Sequence, residues 1–153
     1  MKKVNLTKGY KALVDDEDYE VVNSYSWHVL RNGYAIARVK GTTKKILMHR
    51  LIMNAPSDKK IDHINQDKLD NRKENLRFAT VAENARNSKF RGRNTSGYKG
   101  VSFKVSKNRW LATIVVNGKH KQVGSFMGKK DAAIAYNIAA VKYFGEFAYL
   151  NTV

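Results

Sequence analysis

The sequence predicts an α+β fold: an N-terminal β-hairpin region with a ββα unit, then a three-stranded antiparallel sheet packed on one helix. Three observations carry that prediction. Asn32-Gly33 and Asn117-Gly118 each stand between apolar stretches, and an Asn-Gly pair there is a strong local hairpin signal because the turn needs positive φ. Thr80 followed by Glu83 forms a capping box after two short strand-like runs. The stretch 131–144 is helical and rich in alanine (Ala132, Ala133, Ala135, Ala139, Ala140), which permits close approach to a sheet, and Gly145 stops it.

Taken in order, residues 4–39 hold short apolar stretches interrupted by Asp15-Asp16-Glu17-Asp18, which is expected to cap and charge the first turn of a short helix. Residues 27–30 and 34–39 flank Arg31-Asn32-Gly33 as a hairpin. Residues 46–53 are apolar around His49-Arg50 and end before Pro56; the pattern leaves their element type open. From Lys60 the pattern reads as a strand at 61–64, a polar loop to Glu74, a strand at 76–79 and a helix carrying Asn84 in its first turns. The stretch 88–97 (SKFRGRNTSG) has the composition of a flexible basic connection. The first domain is therefore placed at 1–90, with its core about 60–88, and the second at 91–153. In the second, 101–105, 110–116 and 121–126 read as a meander of three strands ahead of the helix.

A chain of 153 residues can hold one ordinary core or two small ones. With 42% hydrophobic residues and a single proline it should be folded throughout. Lys and Arg total 29 against 13 Asp and Glu, a net charge of +16 that attracts polyanions and repels other copies. Nucleic acid is thus the first partner to consider, and a monomer without a protein partner is expected. A membrane surface would call for basic residues on an amphipathic helix, and no such stretch occurs. The absence of cysteine excludes disulfides, thiolate zinc sites and Cys-based catalysis, and fits a cytoplasmic setting. Neither a signal-peptide run nor a spanning segment is visible.

Breaking a phosphodiester requires a water nucleophile, a base to deprotonate it and a cation to offset charge on the phosphate and the leaving oxygen. The ββα unit offers candidates for each part. His63 can accept a proton near neutral pH, and Asp62 offers a hard oxygen for Mg²⁺. Adjacent strand residues point to opposite faces, so this pair should sit at a strand end or a twist where both side chains can reach one site, with irregular local backbone. Asn84 can add an amide oxygen from the helix, with water and phosphate completing the shell of one cation.

The run IDHINQDKLDNRKENLRFATVAENARN resembles the HNH motif of phage and intron-borne homing endonucleases, over roughly residues 46 to 88. The resemblance implies His63 as general base, Asp62 and Asn84 as metal ligands, and Asn75 as the central Asn of the catalytic set, bracing the loop between the strands. It implies one Mg²⁺ or Mn²⁺ per active site and no zinc. The last letter of the motif is Asn where the pattern has His, a departure shared by a homing subgroup, and an amide oxygen suits a hard cation. His49, in MHRLIM, matches a position that recurs upstream of such motifs, where it contacts phosphate or supports the strand; both roles stay open. His28 and His120 lack such context and are assigned no metal.

Between Glu83 and Asp131 stand twelve cations and no acid: Arg86, Lys89, Arg91, Arg93, Lys99, Lys104, Lys107, Arg109, Lys119, Lys121, Lys129 and Lys130. They recur on and between the three strands while the helix takes the apolar load, leaving one sheet face for DNA. A narrow antiparallel sheet can enter the major groove. The stretch 96–151 resembles the apetala-type, or ethylene-response-factor, DNA-binding domain of plant transcription factors, which is also appended to phage HNH nucleases. Its marks are Tyr98-Lys99-Gly100-Val101, Arg109-Trp110, Gly124-Ser125-Phe126, the alanine-rich helix and Leu150-Asn151. By position, the resemblance places DNA contacts on Lys99, Ser102, Lys104, Arg109, Thr113, Lys119, Lys121 and Gln122. Arg50 and Arg86, within the stretch of the first motif, are also expected to contact DNA. Plant domains carry arginine and tryptophan at several of these positions, so no target sequence carries over. Trp110, Phe126, Tyr136 and Phe144 are periodic in the way of core residues.

Together these resemblances imply a homing-type, metal-dependent endonuclease acting on double-stranded DNA in the cytoplasm of a bacterial or phage-infected cell. A non-catalytic, sequence-specific DNA-binding regulator is the alternative. RNA is a weaker candidate, since no aromatic pair stands in the pattern of an exposed stacking platform.

Overall fold

β1 (Lys2–Asn5) and β2 (Lys11–Val14) open the chain as an antiparallel hairpin that the sequence pattern does not single out. The computed structural model describes residues 1–88 and 94–153, and divides into a unit over 1–84 and a unit over 85–153. The division falls after Asn84, where the sequence places the domain change at residue 90. The flexible connection expected over 88–97 lies, at 89–93, outside the described residues, and Lys89, Arg91 and Arg93 lie there with it. No helix among the described residues is long and apolar enough to cross a membrane.

In the first unit the inward residues of the hairpin, Val4, Ala12 and Val14, meet Val22, Trp27, Ala35, Ala37 and Met48 in one core. Burying Trp27 is compatible with its polar edge because Nε1–H donates to Val22 O at 2.7 Å. Val22 belongs to α1 (Tyr19–Asn23), whose expected acidic cap is absent: Asp18 has helical backbone angles and makes no side-chain cap bond. An N-cap needs extended φ/ψ to turn its oxygen back onto the helix. The acidic residues serve elsewhere. Asp15 accepts from the Lys73 backbone N–H at 2.8 Å, Glu17 and Asp18 hold the Lys73 ammonium at 2.5 and 3.2 Å, and Asp16 meets the N-terminal ammonium at 2.7 Å.

β3 (Trp27–Val29) and β4 (Ala35–Arg38) form the hairpin expected around Asn32-Gly33. The stretch at 46–53 resolves into two elements: β5 (Lys45–Leu47) pairs with β4, and α2 (Met48–Ile52) follows at once, burying Met48 and His49. β6 (Lys60–His63) and β7 (Leu76–Ala79) then pair antiparallel, Asp62 opposite Arg77 and His63 opposite Leu76. α3 (Val81–Asn87) follows with its capping box formed. Glu83 N–H donates to Thr80 Oγ1 at 3.2 Å, and Glu83 Oε2 accepts from Thr80 N–H at 2.7 Å.

The second unit is a meander of β8 (Val101–Lys104), β9 (Arg109–Val116) and β10 (Lys119–Phe126), in spatial order β10-β9-β8, with α4 (Lys129–Phe144) against it. Asn117 and Gly118 both have positive φ, 52° and 75°, as a two-residue hairpin turn requires. Val101, Ala112 and Ile114 pack on Ala132, Ala133, Tyr136, Ala139 and Ala140, with Trp110, Phe126 and Phe144 at the margin. The four aromatic residues thus belong to the packing. Gly100 shows why glycine stands where the chain enters the sheet: its φ is 73°, and a Cβ there would meet the Tyr136 ring at 2.1 Å. Asn151, near the end of the unit's sequence, clasps the same place, accepting from Lys99 N–H at 2.7 Å and donating to Lys99 O at 3.1 Å.

Candidate active site

His63 ends β6, so the strand-end placement that the Asp62–His63 pair calls for is met. The ladder to β7 is nevertheless regular, one residue against one from Lys60 to His63. The irregular backbone expected at the pair comes later, at Gln66 with φ 65°. Along a regular ladder consecutive side chains leave on opposite faces, and the two acquire different neighbours. Asp62 is buried and takes the guanidinium of its cross-strand partner, Arg77, whose Nε and Nη2 both donate to Oδ2, at 2.9 and 2.7 Å.

His63 is buried among rings. His49 from α2 stands 5.2 Å from it edge to face, and Tyr34, just before β4, lies 5.8 Å from His63 and 5.2 Å from His49. On its other side His63 Nε2 meets Asn71 Oδ1 at 3.2 Å. Asn71 is held there by the main chain: its N–H donates to Leu13 O, and Leu13 N–H donates to Leu69 O, both at 2.8 Å. β2 therefore fixes the loop that presents Asn71. The Asn71 amide donates from Nδ2 to Lys68 O at 3.5 Å, which directs Oδ1 toward the histidine. An amide oxygen can only accept, so Nε2 carries the ring proton and Nδ1 is the basic nitrogen.

Burial lowers the pKa of both histidines. His49 is brought to about 3, by burial first and then by the charges of His63 and Arg50. His63 is lowered by burial, against the opposing pull of Asn71 and of Asp62, Asp67 and Asp70. Both imidazoles are neutral at pH 7, the state a proton acceptor needs.

Asn75 ties the loop that leaves His63. Its Oδ1 accepts from Asn65 N–H at 2.9 Å, its Nδ2 donates to Asp70 O at 2.8 Å, and its carbonyl accepts from Ile64 N–H at 2.9 Å. Asp70 is paired with Arg72 at 2.7 Å, which holds its carboxyl below the usual range. Asn84 stands half-buried in the first turn of α3, its N–H donating to Thr80 O at 3.0 Å.

A divalent cation is the group that Asp62 and Asn84 would hold. A carboxylate and an amide oxygen suit a hard ion, and the Asp62 carboxylate already takes Arg77 Nε and Nη2 on Oδ2. Among the described residues no three His, Asp or Glu side chains gather as a cage. A cation here would rely on water and phosphate for most of its shell, as Mg²⁺ does.

The residues singled out as DNA contacts divide by environment. Arg50 donates to three main-chain carbonyls, Lys59 O at 2.8 Å, Ala55 O at 3.1 Å and Pro56 O at 2.5 Å, so it clamps the turn before β6. The guanidinium of Arg86 lies 5.0 Å from the Phe144 ring centre. The Lys99 ammonium donates to Arg86 O at 2.6 Å and Ser88 O at 2.8 Å, and burial lowers its pKa; it acts as an internal brace. The pairing in the sheet sorts the others. Val101, Ala112 and Ile114 face α4, so their neighbours Ser102, Leu111 and Thr113 face away. Lys104 and its partner Arg109, and Gln122 opposite Thr113, share that open face. Lys119 and Lys121 pair with Val116 and Ile114 and lie on the helix side, Lys121 with its ammonium 5.0 Å from the Tyr143 ring centre. His120, opposite Val115, joins the open face, although sequence reasoning gave it no role.

Sequence reasoning also missed Asn71, Tyr34 and Arg77. Arg77 was within reach, because pairing His63 with Leu76 sets opposite charges across from each other at the next rung. No local pattern announces Tyr34, which only the fold brings to His63.

An HNH endonuclease family model matches residues 47–86. The chain is 34% identical over 152 residues to an uncharacterized HNH endonuclease of Acanthamoeba polyphaga mimivirus, covering 95% of this chain and 77% of that protein. It is 41% identical over 59 residues to Protein 3.8 of Escherichia phage T7, covering 39% of this chain and 49% of the phage protein. It is also 35% identical over 88 residues to an AP2-like ethylene-responsive transcription factor of Oryza sativa subsp. japonica, covering 56% of this chain and 14% of the plant protein.

Proposed function

The chain belongs to the HNH endonuclease family, and from that premise we propose that it hydrolyses a phosphodiester bond of double-stranded DNA with a divalent cation. In this reading it is a homing-type enzyme whose second unit, an apetala-type domain, chooses the site. The observation that carries it is His63, a buried neutral imidazole at a strand end, with Asn71 against Nε2.

His63 Nδ1 takes a proton from a water; the water oxygen bonds to phosphorus as the bond to the leaving oxygen breaks, and that oxygen is protonated from solvent. Asp62 and Asn84 would hold a Mg²⁺ or Mn²⁺, which would supply charge neutralisation for the reaction. Asn75 keeps the loop after His63 in place through its bonds to Asn65 and Asp70. His49 and Tyr34 wall off the imidazole and help keep it neutral. On the second unit, Ser102, Lys104, Arg109, Thr113 and Gln122 form the DNA-facing surface, with the cations on phosphates or guanine edges. Similarity to the plant transcription factor supports this part of the reading.

One observation favours the alternative of a DNA-binding regulator without turnover: the Asp62 carboxylate is engaged by Arg77. Supercoiled plasmid incubated with Mg²⁺, with Mn²⁺ and with EDTA separates the two. Nicked or linear product in the metal lanes alone is expected. Binding to several DNA sources without product in any lane would leave the regulator.

A further inference from the structure

Beside the rings around His63 lies a groove of about 590 Å³ within the first unit, bordered by Lys8, Tyr10, Arg31 and Lys68. Val29, Leu30 and Leu69 also line it. Three cations face one acid, Asp67, whose Oδ1 accepts from Leu69 N–H at 2.9 Å, so the concavity is positive. Lys8, Arg31 and Tyr10 are exposed.

The groove adjoins the candidate centre through side chains. Lys68 Nζ donates to Asn32 O at 2.6 Å and sits 4.5 Å from the centre of the Tyr34 ring, which is itself 5.8 Å from the His63 ring. Two lining residues hold left-handed backbone that non-glycine residues seldom adopt, Lys8 at φ 62° and Gln66 at φ 65°. Such conformations cluster at binding sites. A strand whose phosphate reaches His63 carries further phosphates on along its backbone, about 3.4 Å of helix axis apart. A positive groove one ring away is shaped to receive them.

We propose that this groove holds the sugar-phosphate backbone of the DNA strand adjoining the scissile bond. Lys8 and Arg31 neutralise its phosphates, and Tyr10 lies against a sugar or base. The proposal rests on the reading of His63 as the cleaving centre, and it assigns DNA binding to the first unit in addition to the sheet of the second.

The chain has no cysteine, so Lys8→Cys and Arg31→Cys each create a single thiol for a photoactivatable aryl azide. The full chain so labelled is bound to a fluorescent duplex in EDTA, irradiated and run on a denaturing gel. Circular dichroism checks that each exposed-site variant is folded. DNA adducts from both positions, removed by unlabelled duplex, are expected; binding by anisotropy without an adduct from either position would overturn the proposal. In unlabelled protein, Lys8→Ala with Arg31→Ala should flatten the slope of log affinity against log salt by about 1.8, at about 0.9 per phosphate contact. An unchanged slope would also overturn it. Adducts from a protein that never cuts would keep the groove and remove the nuclease reading. Cutting without adducts or slope change would do the reverse.

Discussion

His63 and Asn71 meet at 3.2 Å inside the first unit, and that contact decides which ring nitrogen can take a proton. Replacing Asn71 with Ala frees the tautomer and leaves a buried imidazole N–H unsatisfied. Plasmid-cleavage kinetics should show kcat lowered by about tenfold, near the worth of one hydrogen bond, with KM little changed. Loss of stability without any change in kcat would make Asn71 purely structural. His49 offers a separate test. Its pKa is about 3 in the fold against 6.5 unfolded, so between those values the unfolded chain binds more protons. The stability it contributes is complete above pH 6.5 and is lost as pH falls toward 3. Thermal unfolding of the wild type should therefore weaken over that window, and His49→Gln should show a shallower dependence on pH.

Among the elements, β6 and β7 do most to position the candidate site, and their existence, the capping box and the helix after it were legible because each has a short-range cause. A strand run, a polar loop and a Thr-x-x-Glu pattern all act within a few residues. The second unit was legible for the same reason, through Asn117-Gly118 and the alanine spacing of α4. What could not be read depends on tertiary contact. Asn71 faces His63 only because β2 bonds the loop at 69–71, and the acidic run at 15–18 leaves its helix to bind Lys73. The side of the sheet on which Lys119 and Lys121 fall depends on register, which composition does not reveal. Gly100, by contrast, shows a constraint within reach of a single substitution. Gly100→Ala must accept φ 73° and push on Tyr136, so denaturant unfolding of the second unit should show a loss of about 2 kcal/mol. A neutral effect would contradict the packing described.

For the molecule as a whole, a net charge of +16 makes DNA affinity steeply dependent on salt, and the arrangement of cations says which residues carry that dependence. Lys104→Ala with Arg109→Ala removes a pair from the open sheet face and should flatten the salt slope by about 1.8. Lys121→Ala, on the helix side over Tyr143, should alter it less, and Lys99→Ala should lower stability in preference to affinity. Equal effects on the salt slope from both faces would undo the assignment of the DNA surface. The proposed chemistry is cleavage of DNA by a folded HNH unit through His63. Its most direct test is the rate of plasmid nicking by wild type and by His63→Ala in Mg²⁺, with duplex affinity measured on the same preparations. Cutting should fall by about 10²-fold or more, as for loss of a general base, with affinity nearly unchanged. Cleavage by His63→Ala at the wild-type rate would contradict it.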